Sequence, residues 1–488
     1  MTVESNIKGK VISNLFWKLM ERTGTQGIQF IVAIILARLL IPEDYGIISL
    51  VVIFIAVASV FVQSGFSTAL IQKKDVNETD FSSVFYLSLL IAGLLYVILF
   101  FTAPLIAVFY NEPQVIPVLR VFSVTLFLGV FNSIQNAVIA RKMQFKKLFI
   151  SSLGAIVVSG VVGIFMAYKG FGVWALVVQQ LTNKVLVILI LWFIVKWRPR
   201  LLFSIKSVKK LFSFGWKLLV SSLIDNLYMN LCSLIVGKIY NAEMLGFFNR
   251  GKQFPALIVE NINRSIQSVM FPVLSSQQDN RSRVKDIMRR SMVTSLFILL
   301  PMMVGLAVIA ESLVKILLTE KWLPCVPFLQ IFCASYALWP VHTANLQAIN
   351  ALGRSDIFLK LEIIKKVLGL AILVVTVFYG VYAMAIGGVF VGLIATIINA
   401  YPNKKLLNYS YKEQWKDIMP SLLLSLVMGI FVYIIELIGL SDWLTLIIQV
   451  CVGMISYVAL AWIFKLECFT YLLSTFKEIF RNKSGERI

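Results

Sequence analysis

Long runs of apolar residues recur along almost the whole chain, separated by short polar connections. The runs are continuous rather than alternating, so they predict helices and not strands, and each is near or above the roughly 20 residues that a lipid-crossing helix needs. About fourteen spans are predicted, at 13–40, 44–64, 81–103, 115–139, 148–168, 172–195, 213–238, 243–273, 290–317, 324–350, 358–379, 381–401, 416–438 and 443–464. The longest polar connections, about 196–212 and 275–290, leave no room for a soluble domain. The expected fold is an all-α integral membrane protein, because lipid leaves backbone groups no partner outside a helix or a closed barrel.

Composition agrees: 59% of the 488 residues are hydrophobic and 14% are charged. A soluble chain is nearer half apolar and a quarter charged. The first residues, MTVESNIKGK, lead into a long helix without a small-residue cleavage site, so the first span is read as retained. The five cysteines have no CxxC spacing and His342 is the only histidine, so neither a metal site nor a cofactor is expected.

The 45 lysines and arginines outnumber the acids to give a net charge of +21. With the N-terminus inside, most of them fall on inner segments, among them Lys8, Lys10, Arg141, Lys142, Lys196, Lys206, Arg281, Arg289, Lys404, Lys477 and Arg481. The positive-inside rule therefore puts both ends in the cytoplasm. Spread over eight short segments, this charge forms no nucleic-acid patch.

The chain also repeats itself at a shift of about 200 residues. ARLLIPEDYG at 37–46 aligns with GKIYNAEMLG at 237–246, VIPVLRVF at 115–122 with CVPFLQIF at 325–332, and GVWAL at 172–176 with GVYAM at 380–384. A repeat of six helices is even in number, so both copies have the same orientation, as in parallel-repeat transporters. The expected organisation is a six-helix lobe at 1–200, its repeat at 201–408, and two extra helices with a basic cytoplasmic tail at 409–488.

Four stretches carry a family resemblance: ILARLLIPEDYGIISLVVIF at 35–54, GFSTALIQKKD at 65–75, FYNEPQVIPVLRVFS at 109–123 and GFGVWALVVQQL at 170–181. Together they resemble the polysaccharide transporters, the Wzx-type flippases, of the multidrug/oligosaccharidyl-lipid/polysaccharide exporter superfamily. The nearest branch is the one that exports colanic or teichuronic acid repeat units. The resemblance implies a bacterial inner-membrane transporter with two six-helix lobes around a central cavity, moving oligosaccharides on undecaprenyl pyrophosphate. Its implied partners are that lipid-linked substrate, membrane lipid, a polysaccharide polymerase and glycosyltransferases.

Polar stripes on three helices supply the candidate chemistry. On the first, Lys18, Glu21, Arg22, Thr25, Gln26 and Gln29 share a face; on the eighth, Asn249, Gln253, Glu260, Asn263, Arg264 and Gln267 do. Ionisable side chains in spans are expensive, so they are either paired or functional. Arg22, Gln26, Gln29, Arg250, Lys252, Gln253, Glu260, Asn263, Arg264 and Gln267 are the candidate substrate-binding set. Amides suit sugar hydroxyls, and a guanidinium can bind phosphate oxygens bidentately. Alternatively, Arg22 pairs with Glu21, and Arg264 with Glu260 one turn away. On the seventh helix Asp225, Asn226 and Asn230 form a candidate ion-coupling site, the alternative being that the two amides satisfy the acid structurally.

GFFNRGK at 246–252 approaches a phosphate-binding loop, but Gln253 follows where Ser or Thr is needed and no βα unit surrounds it. No catalytic triad can be built from one histidine. The expectation is a transporter and not an enzyme, working by alternating access through a cationic central cavity. The rival readings are a drug/cation antiporter of the same superfamily and an integral-membrane polysaccharide polymerase.

Overall fold

The computed structural model describes residues 2–474 other than 64, 74 and 196; within its helices, side chains are described from residue 17 onward except 19, 214 and 269. The basic tail with Lys477 and Arg481, and also Lys196, lies outside the described residues. Every regular element among the described residues is helical. In chain order these are α1 (Thr2–Leu39), α2 (Pro42–Gln63), α3 (Phe66–Gln72), α4 (Glu78–Tyr110), α5 (Val115–Phe122), α6 (Thr125–Lys142), α7 (Phe145–Tyr168), α8 (Val173–Ile194) and α9 (Ile205–Ile239). There follow α10 (Ala242–Ser276), α11 (Arg281–Val308), α12 (Ala310–Leu318), α13 (Val326–Tyr336), α14 (Trp339–Ala351), α15 (Ser355–Thr376), α16 (Val381–Leu407), α17 (Tyr411–Glu436) and α18 (Asp442–Ile463).

Among the described residues, eleven helical stretches are long and apolar enough to cross a membrane, which makes this a multi-pass membrane protein. α1, α10 and α15 are as long but are not among the eleven. Their polarity explains it: α1 and α10 carry the stripes described above, and α15 carries Lys360, Glu362, Lys365 and Lys366.

Local chemistry sets several boundaries. α4 starts in a capping box, where Asn77 accepts from the Asp80 N–H and Asp80 accepts from the Asn77 N–H. Buried Asp80 is also paired with Lys73 at 2.5 Å, which neutralises a carboxylate that would otherwise be costly to bury. α17 starts in a second capping box, Ser410 with Glu413. Asn111 and Asn408 end α4 and α16 in the left-handed conformation, which asparagine tolerates better than most residues. The stretch 115–139, which reads as one helix in sequence, is divided into α5 and α6 around Ser123 and Val124.

Contacts divide the chain into two compact units, residues 1–246 and 247–488. In the first, α1 lies along α7, α7 along α8, and α2 against α9, α4 and α6. Its core includes Leu36, Val51, Phe85, Leu119, Ile134 and Leu176. In the second, α11 packs on α17 and α17 on α18, while α13 and α14 pack on α16. Met288, Met292, Leu296, Val341 and Tyr409 form one core there, and Phe297, Met428 and Tyr457 another. Lipid is as apolar as leucine, so close packing has to hold such helices together, and small residues allow it. A Cβ at Gly160 would come within 2.6 Å of Val32, and one at Gly429 within 2.7 Å of Val304. Many large apolar side chains point outward, Phe101 and Phe193 among them, as lipid contact requires.

Candidate functional site

On α1 the polar stripe divides between two directions. Trp17 meets Phe149, Gly24 meets Phe149 and Leu153, and Glu21 faces Ser152, so this side is laid on α7. Arg22, Gln26 and Gln29 follow at i, i+4 and i+7, which aligns them on another side of the helix. Arg22 and Gln26 are half-buried and Gln29 is exposed. Thr25 stays on its own helix, donating to the Glu21 and Arg22 carbonyls.

On α9, Asn226 donates to the Ser222 carbonyl and Asn230 to the Asn226 carbonyl, each one turn back. Asp225, directly before Asn226, is exposed. Back-bonding holds the amide nitrogens and leaves their side-chain oxygens as acceptors, so the face can take a cation or a hydroxyl donor.

Along α10 the environments change with depth. Arg250 is buried, its guanidinium 5.0 Å from the Trp322 ring centre and donating to Gln253 Oε1 at 2.7 Å. Stacking on an aromatic face is the way a guanidinium is best held in an apolar setting. Lys252 is half-buried. Asn263 accepts a hydrogen bond from Thr343 of α14, which anchors that part of the stripe to its neighbour. Arg264 and Glu260 meet at 3.4 Å with both side chains about three-fifths exposed, and Gln267 beyond them is exposed too. An exposed helix pair of this kind contributes only about 0.3–0.5 kcal/mol. Arg264 therefore has little holding it in one pose, and it can exchange Glu260 for another anion at small cost.

A second polar assembly, in the second unit, was not read from the sequence. Asn345 of α14 and Gln414 of α17 form a reciprocal amide pair at 2.9 and 3.1 Å, and Asn403 of α16 donates to Asn345 Oδ1 at 2.7 Å. All three are almost fully buried. A turn away, Asn399 meets His342 Nδ1 at 3.1 Å. The signal available was the spacing of Thr396, Asn399 and Asn403, a polar seam at i, i+3 and i+7 inside an apolar run. Nothing in it is acidic, and no cluster of metal-ligating side chains occurs among the described residues.

A third cluster occupies the ends of α2, α4 and α9 in the first unit. The turn at Asn111–Gln114 brings Glu112 against the Ala242 N–H and beside Glu43. Burial, with the Glu43 charge adding to it, raises the Glu112 carboxyl above the ordinary range, and the Ala242 N–H opposes this in part. Nearby, Lys238 donates to the Phe109 carbonyl and sits 4.4 Å from the Phe109 ring centre.

The solved inward-closed lipid II flippase MurJ matches 93% of this chain and 98% of its own, with a TM-score of 0.72 at 16% identity. An inward-facing multidrug resistance MATE transporter of the MOP superfamily matches 80% and 98%, with a TM-score of 0.59 at 15% identity. The chain thus has the fold of that superfamily. Among sequences it is 23% identical to the teichuronic acid biosynthesis protein TuaB of Bacillus subtilis (strain 168), over 83% of this chain and 85% of that one. It is also 23% identical to the lipopolysaccharide biosynthesis protein WzxC of Escherichia coli (strain K12), over 87% and 89%. The succinoglycan biosynthesis transport protein ExoT of Rhizobium meliloti (strain 1021) is likewise 23% identical, over 75% and 74%. The family described as "Polysaccharide biosynthesis protein" matches residues 35–327, more than half of the chain, and this protein belongs to it.

Proposed function

We propose that this protein moves a lipid-linked oligosaccharide, carried on undecaprenyl pyrophosphate, across the bacterial inner membrane for surface polysaccharide export. The lobes at 1–200 and 201–408 would alternate access, with both termini cytoplasmic. The polar faces of α1 and α10 handle the head group, and the hydrocarbon tail stays in lipid. The observation that carries the reading is the exposed run Glu260, Arg264 and Gln267 on a long helix of an otherwise apolar chain. A face of amides with a loosely paired guanidinium suits sugar hydroxyls and a phosphate. Arg22 contributes a second cation and Lys252 a third. Asp225, with Asn226 and Asn230, serves the coupling cation or proton. A polymerase and glycosyltransferases act before and after this step, and membrane lipid is its medium.

The test is transport by the purified full chain in vesicles. A fluorescent undecaprenyl-pyrophosphate oligosaccharide should become protected from an impermeant quencher only in vesicles that contain the protein. Efflux of an organic cation such as ethidium, with no movement of the oligosaccharide, would instead establish a drug antiporter. Cysteines at residues 43, 112 and 320 should react with an impermeant thiol reagent in intact cells, and those at 206 and 285 should not; the reverse pattern overturns the orientation.

A further inference from the structure

The surface of the first unit has an open apolar depression of about 390 Å³ lined by Phe54 of α2, Leu105, Ile106, Phe109 and Tyr110 of α4, and Leu234 of α9. It lies at the same ends of α4 and α9 as the Glu112 turn. Its aromatic walls are fixed against one another: Phe109 packs edge-on against Tyr110 at 5.0 Å, and Phe54 against Tyr110 at 6.2 Å. Leu105 and Phe109 are exposed, so the depression opens on a surface that such residues show to lipid. One turn beyond Leu234 on the same helix stands Lys238, exposed, with its ammonium over the Phe109 ring. One of its three N–H donors is directed at the Phe109 carbonyl.

An apolar slot with a cation one helical turn above it matches a lipid whose hydrocarbon enters the slot and whose phosphate meets the lysine. We infer that this is a binding site for the polyprenyl phosphate end of the transported lipid: Phe54, Leu105, Phe109 and Leu234 take the first isoprene units, and Lys238 takes the phosphate. The inference rests on the proposed function for the choice of a polyprenyl over an acyl chain. The charge complementarity rests on Lys238 alone. By the orientation argued above, these helix ends face outward, so the site holds the carrier after the head group has crossed. The stripe on α10 and this slot then have separate tasks, one recognising the head group and the other retaining the tail.

The experiment uses the full chain in phosphatidylcholine nanodiscs with a benzophenone-bearing polyprenyl phosphate as probe. After irradiation, labelled peptides are mapped by mass spectrometry. Label should concentrate on 105–110 and 230–238, and tenfold excess undecaprenyl phosphate should displace it while the same excess of phosphatidylglycerol does not. Lys238→Gln removes a charge-assisted contact and should reduce labelling about tenfold. Leu234→Trp, which fills the slot, should reduce it similarly in a monodisperse protein of unchanged melting temperature. Label elsewhere, equal displacement by phosphatidylglycerol, or full labelling of Lys238→Gln overturns the site. Oligosaccharide transport measured on the same preparations separates the two readings: transport with label elsewhere defeats the slot alone. Slot labelling without wild-type transport defeats the proposed function and leaves a polyprenyl phosphate site.

Discussion

Gly46 and Gly246 each press against the residue four positions before the other. A Cβ at Gly46 would overlap the Ala242 carbonyl, and one at Gly246 would overlap the Pro42 carbonyl. The contact is reciprocal, like an isologous interface, although the two segments belong to one chain. The two glycines also align in the internal repeat, at a shift of 200 residues. A pseudo-twofold relation between the first turns of α2 and α10 accounts for both facts, and only glycine lets two backbones approach so closely.

The obstructing atoms are backbone, which cannot rotate away. Gly46→Ala or Gly246→Ala should therefore separate the two turns or destabilise the protein by about 1–3 kcal/mol. The check is melting temperature together with thiol labelling at Asn241→Cys, which should rise in either alanine variant. Unchanged melting and labelling in both would show that this crossing carries no strain when filled.

The Glu112 carboxyl has a raised pKa from burial and from Glu43, so ionising it costs the folded state more than the unfolded one. Its contribution to stability is thus fullest below the ordinary carboxylate range and falls as pH rises through the raised value. Glu112→Gln mimics the protonated form. It should match wild type in melting temperature near pH 4 and exceed it at pH 7. A gap that is constant with pH would mean that the Ala242 N–H balances burial and the Glu43 charge, and one of opposite sign that it outweighs them.

The all-helical membrane class was legible in the residues, because the apolar runs are continuous rather than alternating. Charge and amide recur at helical spacing on what are the long helices α1 and α10, and Gly46 and Gly246, two hundred positions apart, make reciprocal contacts. What sequence periodicity could not divide is the stripe itself: Glu21 and Arg22 are neighbours, yet Glu21 turns onto α7 while Arg22 aligns with Gln26 and Gln29. Nor does periodicity show that Trp322, seventy-two positions on, lies against Arg250. The break between α5 and α6 was missed because the apolar run continues through it. The Asn345 assembly was missed because single amides scattered through apolar helices acquire meaning only when their partners meet.

That assembly joins α14, α16 and α17 through buried amides. Asn345→Ala leaves the Gln414 and Asn403 side chains buried with partners missing, at a cost of about 1–3 kcal/mol. Asn345→Gln, longer by a methylene, should recover little because the reciprocal geometry with Gln414 is lost. Melting temperature in a defined detergent measures both; an Asn345→Ala protein as stable as wild type would mean that water replaces the amide.

The Arg264–Glu260 pair separates two roles for the arginine. An arginine in hydrocarbon costs at least about 2.5 kcal/mol on insertion scales unless it is paired or wetted. At 3.4 Å, with both side chains about three-fifths exposed, Glu260 offsets little of that, so water or a ligand anion must supply the rest. Arg264→Gln should then leave expression and melting near wild type but reduce oligosaccharide transport by tenfold or more, as loss of a charge-assisted contact of about 1.5–3 kcal/mol would. Arg264→Lys keeps the charge and loses the planar fork, so it should recover only part of the rate. Glu260→Gln frees Arg264 and should preserve transport. If instead Arg264→Gln destabilises the protein and a second change, Glu260→Gln, rescues it, the pair is structural. A stable Arg264→Gln protein that transports at the normal rate removes this residue from the mechanism.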